Sequence, residues 1–137
     1  MIIDNKALDS DLTKIIENKI KLSGLDYSSE AYDTLEEELH DLEDDFLEKY
    51  GGFLEDALHE VHDEFCPDSD VLLPIAYLPN KINKIDSGYD VDFKEGVYVD
   101  VDDYAGKETK LVILPSPTRI LLQIDKDQRE VVWKAED

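Results

Sequence analysis

The chain of 137 residues has one cysteine, Cys66, and only two arginines, Arg119 and Arg129. A single cysteine excludes an internal disulfide, and two arginines provide poorly for bidentate phosphate binding. Positive charge is scarce altogether: 14 Lys and Arg stand against 35 Asp and Glu, a net charge of −21. A surface of that sign repels nucleic acid and anionic membranes, which leaves basic proteins or cations as its natural partners. No apolar run approaches the roughly 18–20 residues a membrane span needs. The opening MIIDNKALDSD has neither a basic n-region nor a long apolar core, so no signal peptide is read there and a soluble, cytoplasmic protein is expected. The motifs G-x-S-x-G, G-x-x-x-x-G-K-[ST], G-x-G-x-x-G, C-x-x-C and the D-x-[DN]-x-[DN]-G calcium loop are all missing, and the reading leans away from an enzyme.

What remains is periodic. Apolar content of 42% supports one packed domain over residues 1–137, with a helical layer in 1–66 and a sheet in 67–137. Leu8, Leu12, Ile15, Ile16 and Ile20 repeat at helical spacing, predicting a helix over 5–23. Asp4 is its cap, Ile3 and Leu8 a hydrophobic staple, and Gly24 with Leu25 a Schellman ending. A second helix opens after Ser28 or Ser29. Its stripe runs from Tyr32 through Leu35, Leu39, Leu42, Phe46 and Tyr50 to Leu58, Val61 and Phe65. Gly51-Gly52 interrupts propensity without changing phase, so the segment reads as one long helix, kinked or closely packed at the glycines, or as two stacked helices. Pro67 ends it.

Beyond Pro67 the period falls to two. Strands are predicted at 71–79, where Pro74 demands an edge or a bulge, and at 89–93, 97–104, 110–115, 119–124 and 129–135. Short links predict antiparallel neighbours. The expected fold is α+β, with two N-terminal helices on one face of a five- to six-stranded, mainly antiparallel meander sheet.

Three polar constellations compete for function. In ALHEVHDEFCP, residues 57–67, the spacing resembles H-E-x-x-H but is one residue short. Glu55, His59, His62 and Cys66 fall within one arc of the helix, about 80–140° from Leu54. Glu55 with His59 and His62 is the divalent-metal alternative, incomplete without further ligands. Cys66, at a helix C-terminus among carboxylates, is the wrong environment for a thiolate. Secondly, Val91, Phe93, Val97, Val99 and Val101 alternate with Asp90, Asp92, Asp100 and Asp102. A hairpin linked by KEG would set those four aspartates against each other across two strands, which suits a cation or a basic partner. Thirdly, residues 26–66 hold sixteen acids against Lys49 alone, with Glu37, Asp41, Asp44, Asp45 and Glu48 on the polar side of the long helix.

The leading expectation is a non-enzymatic, acidic domain that binds a basic protein, by the charge logic of immunity or inhibitor proteins. Its contacts would be the helix set and the four aspartates. A metal-dependent hydrolase using Glu55, His59 and His62, and a structural or oligomer-forming domain, are the alternatives.

Overall fold

The computed structural model describes residues 4–86, 88–115, 117–126 and 128–135. Helix α1 spans Asn5–Ser23 and helix α2 spans Glu30–Phe65, where the cap and stop signals put them. Asp4 Oδ1 accepts from the N–H groups of Lys6 at 3.0 Å and Ala7 at 3.3 Å, and Ser29 Oγ from Tyr32 at 3.1 Å. Each cap satisfies donors that a helix start leaves orphaned. The staple through Ile3 lies outside the described residues. The end of α1 departs from the Schellman expectation. Gly24 keeps a right-handed φ of −92°, and the N–H groups of Gly24 and Leu25 close tight turns onto Lys21 and Leu22, each at 3.1 Å.

Helix α2 is continuous through Gly51 and Gly52. A β-carbon on Gly51 would meet only the Leu47 side chain, at 3.8 Å, and one on Gly52 would meet nothing within 4 Å. Neither glycine therefore marks the close approach of another element.

The strands are β1 (Ile82–Ile85), β2 (Gly88–Val91), β3 (Val97–Tyr98), β4 (Thr109–Leu114), β5 (Arg119–Ile124) and β6 (Gln128–Lys134). The class is α+β as expected, but the single meander is not formed. There are two antiparallel sheets, β1–β2 and β3–β4–β5–β6. Leu111, Ile113, Ile120, Leu122 and Ile124 turn one face of the larger sheet to Leu8, Leu12, Ile15, Leu54 and Leu58 of the helices. On its other face Val112, Leu114 and Leu121 pack against Val91 and Ile82 of the small hairpin. Strands covered on both faces lose the in-out alternation of a half-solvated sheet. That is why KLVILP and RILLQI are almost wholly apolar.

Two local expectations are corrected. Residues 71–79 form no strand; Pro74–Tyr77 is a 3-10 turn with proline at its start, where a fixed φ is favourable and no N–H is missed. The 89–93/97–104 hairpin does not form either. Strand β2 pairs backwards with β1, and β3 pairs with β4, Val97 opposite Leu111. Residues 92–96 instead cross the far face of the larger sheet, pinned from below. Gln123 Nε2 donates to the carbonyls of Asp92 at 3.0 Å and Glu95 at 2.9 Å, and Lys110 Nζ to that of Lys94 at 2.8 Å. Gly96 has φ +110°, and a β-carbon there would lie 2.5 Å from the Leu111 carbonyl oxygen. The glycine that read as a hairpin link is thus required by a close crossing. Valines 91 and 99 end up in different layers, Val91 against the far face and Val99 in the helix-side core.

Candidate functional site

The N-terminal part of α2 buries Leu39, Phe46 and Tyr50. The opposite side carries Glu30, Asp33, Glu37, Asp41, Asp44 and Glu48, all exposed, at steps of three or four residues. That spacing keeps them in one stripe along the helix. Glu38 and Asp45 widen it, also exposed. Glu30 and Asp33 sit in the first turn, where the helix dipole favours them; the rest have no such compensation. Four ion pairs are formed among the described residues, Lys14–Asp11, Lys84–Glu17, Lys110–Glu108 and Arg129–Asp90, and none involves an α2 carboxylate. The predicted contacts Glu37, Asp41, Asp44, Asp45 and Glu48 therefore stand together on one continuous, uncompensated face.

The aspartate ladder is dispersed. Asp90 is ion-paired with Arg129 of β6; the hydrogen bond and then the charge of that guanidinium hold its carboxyl below the usual range. Asp92 Oδ1 accepts the Lys94 N–H at 3.0 Å within its own turn. Asp100 and Asp102 line an open hollow of about 670 Å³ with Asp68 and Glu108, and Tyr98 donates its hydroxyl to Asp100 at 3.0 Å. Asp90 and Asp92 therefore do not face Asp100 and Asp102 across two strands, because β2 pairs with β1 and β3 with β4, and Asp92, Asp100 and Asp102 lie outside the strands.

The histidine constellation also separates. His59 is exposed and Glu55 half-buried, while His62 is only 2% exposed. Tyr77 Oη accepts the Leu72 N–H at 3.0 Å, which turns its own hydrogen toward His62 Nε2, also at 3.0 Å. His62 Nδ1 then donates to the Ser69 carbonyl at 3.0 Å. Both ring nitrogens are thus engaged. Among the described residues, no group of three or more His, Cys, Asp and Glu side chains is disposed to hold a metal ion. Cys66 is fully buried. Burial first, and the Asp100 charge second, push its thiol up to about 11, so it is no nucleophile at neutral pH.

Sequence reasoning put His62 on the flank of the core because a helical wheel shows only one helix. Segment 67–77 folds back over that flank and buries it, through Tyr77 and Ser69, which lie beyond the helix. Ser69 also accepts the Asp100 N–H on its hydroxyl at 3.0 Å, tying the helix end to the edge of the larger sheet. The visible signal was Pro74 with Tyr77, an i,i+3 pair suited to a single helical turn. None of the described helices is long and apolar enough to cross a membrane. In comparisons with protein families, curated proteins and solved structures, the chain matches none.

Proposed function

We propose that the protein is an acidic interaction domain that binds a basic protein through the exposed face of α2, centred on Glu37, Asp41, Asp44, Asp45 and Glu48. One observation carries the reading: an uninterrupted row of exposed carboxylates with no ion pair to any of them among the described residues. A helix kept only soluble gains from mixed signs at i,i+4, and like charges there cost stability. Concentrating one sign on a rigid face gives a field that steers an oppositely charged partner and speeds encounter. Asp100 and Asp102, on the rim of their hollow, are a second acidic surface available to the same partner.

Capture on the immobilised protein from extracts of its native host, repeated as salt rises, tests this. A partner retained at low salt and released at high salt is expected. The double substitution Asp44→Lys/Asp45→Lys should slow association about tenfold or more, with a smaller effect on dissociation. Binding that ignores salt, or that the double variant leaves intact, would refute the proposal.

A further inference from the structure

We propose that the cleft between the end of α1 and the start of α2 binds a free α-amino acid with a cationic side chain, arginine in particular. The site is separate from the exposed carboxylate row. Residues 24–29 turn the chain back, so the two helices pack together and leave a cleft of about 520 Å³ at that end. Small-molecule sites occupy about 300–1,000 Å³. Leu22 and Leu39 give the cleft apolar lining. Tyr27 and Tyr32 also line it, their ring centroids 4.8 Å apart, and Tyr27 is 82% exposed. The charged lining is mixed: the Lys19 ammonium and the Glu36 and Glu43 carboxylates, on residues that are all half-buried.

Lys19 is the group that asks for a ligand. Its ammonium carries three donors, and one goes to the Pro79 carbonyl at 3.2 Å. Among the described residues no carboxylate stands within ion-pair distance of it. Burial lowers its pKa, and the more distant charges of Glu43 and then Glu95 oppose that without cancelling it. A half-buried cation with no contacting counter-ion suits a ligand carboxylate. Glu43 lies on the Lys19 side of the cleft, since each charge is felt at the other. The carboxylate and α-ammonium of an amino acid, which are adjacent, would meet Lys19 and Glu43. Glu36 is one to two turns nearer the loop, about 10.5 Å along the helix. It stands beside the Tyr32 phenol, which burial, then Tyr27, then Glu36 raises. A cation at Glu36 therefore has to end a long side chain, whose stem would cover Leu22 and Leu39. A guanidinium fits there best, because it stacks on aromatic rings as well as pairing with a carboxylate. A simple amine would leave Lys19 unanswered and be repelled by it. A simple acid would meet two glutamates.

Calorimetric titration of the full chain with L-arginine tests the assignment, beside three analogues that each lack one group. Agmatine lacks the carboxylate, Nα-acetyl-arginine the α-ammonium and citrulline the side-chain charge. Arginine should bind saturably, and each analogue at least about tenfold more weakly, the worth of one charged hydrogen bond. In Lys19→Met arginine should bind no better than agmatine, and in Glu36→Gln no better than citrulline. The analogue series uses the natural chain, so its outcome does not depend on how the variants fold. No saturable binding of arginine below about 10 mM, or binding of agmatine or citrulline as tight as that of arginine, would overturn the assignment.

Discussion

The two halves of α2 are built from the same helix and put to different uses. Between Glu30 and Tyr50 only Leu39, Phe46 and Tyr50 are buried; between Gly51 and Phe65 the buried set is Gly51, Leu54, Ala57, Leu58, Val61 and His62. The second half meets the 66–77 segment on one flank and β6 on another, where Phe53 lies edge-on to Trp133 with centroids 5.8 Å apart. The first half packs on α1, with Tyr50 donating to Asp11 at 2.7 Å where the halves join. A continuous helix lets a deeply anchored half support one that is anchored along a narrower strip, which leaves more of the first half's surface for acidic display.

The contrast is broken most severely by removing the anchor. Leu58→Ala should cost about 2–5 kcal/mol by losing buried surface and leaving a cavity. Leu42→Ala, on the half-buried inner side of the first half, should cost under about 1.5 kcal/mol. Urea unfolding of both variants measures the difference; equal losses would mean the halves share the load. His62→Ala should cost about 2–3 kcal/mol, because it strips partners from the Ser69 carbonyl and the Tyr77 hydroxyl inside the fold, whereas His59→Ala should stay within about 0.5 kcal/mol.

The same anchor carries a pH signature. The folded state raises the Cys66 thiol from 9.0 to about 11, chiefly by burial, and burial raises the Tyr77 phenol as well. A group raised by folding stabilises fully below its ordinary value and loses that contribution as pH climbs to its folded value. Stability should therefore fall between pH 9.0 and about 11, and Cys66→Ala should flatten the fall. Denaturant midpoints across that range would show an unchanged slope in the variant if Cys66 plays no part.

Both helices were legible in the sequence because their evidence is local: an apolar stripe, a cap, a proline. The exposed acidic row was legible for the same reason, since a wheel opposite Leu39 and Phe46 needs no tertiary information. Strand pairing was not legible. Val91 and Val99 look equivalent along the chain, yet Gln123 and Lys110 pull the 92–96 turn across the sheet and send them to different layers. Strand β1, with Asn83 and Lys84 exposed between two isoleucines, has too little alternation to announce itself. His62 was misplaced because its burial comes from residues that follow it, and Arg129, the partner of Asp90, lies 39 residues away.

The junction between the halves gives an effect of opposite sign. Gly52 has a right-handed helical position and open space where a β-carbon would go. Gly52→Ala should stabilise the protein by about 0.5–1 kcal/mol through helix propensity and a less disordered unfolded chain. A loss of stability would show that the helix needs the glycine to bend. A gain accompanied by weaker partner binding would place that flexibility in the docking step.

The smallest stability effect is the most informative about purpose. Asp44→Lys/Asp45→Lys sets lysines three and four residues from both Asp41 and Glu48 where there was repulsion, against one new i,i+4 repulsion with Lys49; each such pair is worth about 0.2–0.5 kcal/mol in low salt. The variant should melt slightly higher than the natural chain, and the gap should close as salt screens the charges. Its association with the basic partner should nevertheless be slower. A face shaped only for solubility would show the first change without the second, since relieving repulsion costs such a face nothing. If thermal melting and association rate move in opposite directions in the same variant, the carboxylate row is held against its own repulsion for what it meets, a trade of stability for function.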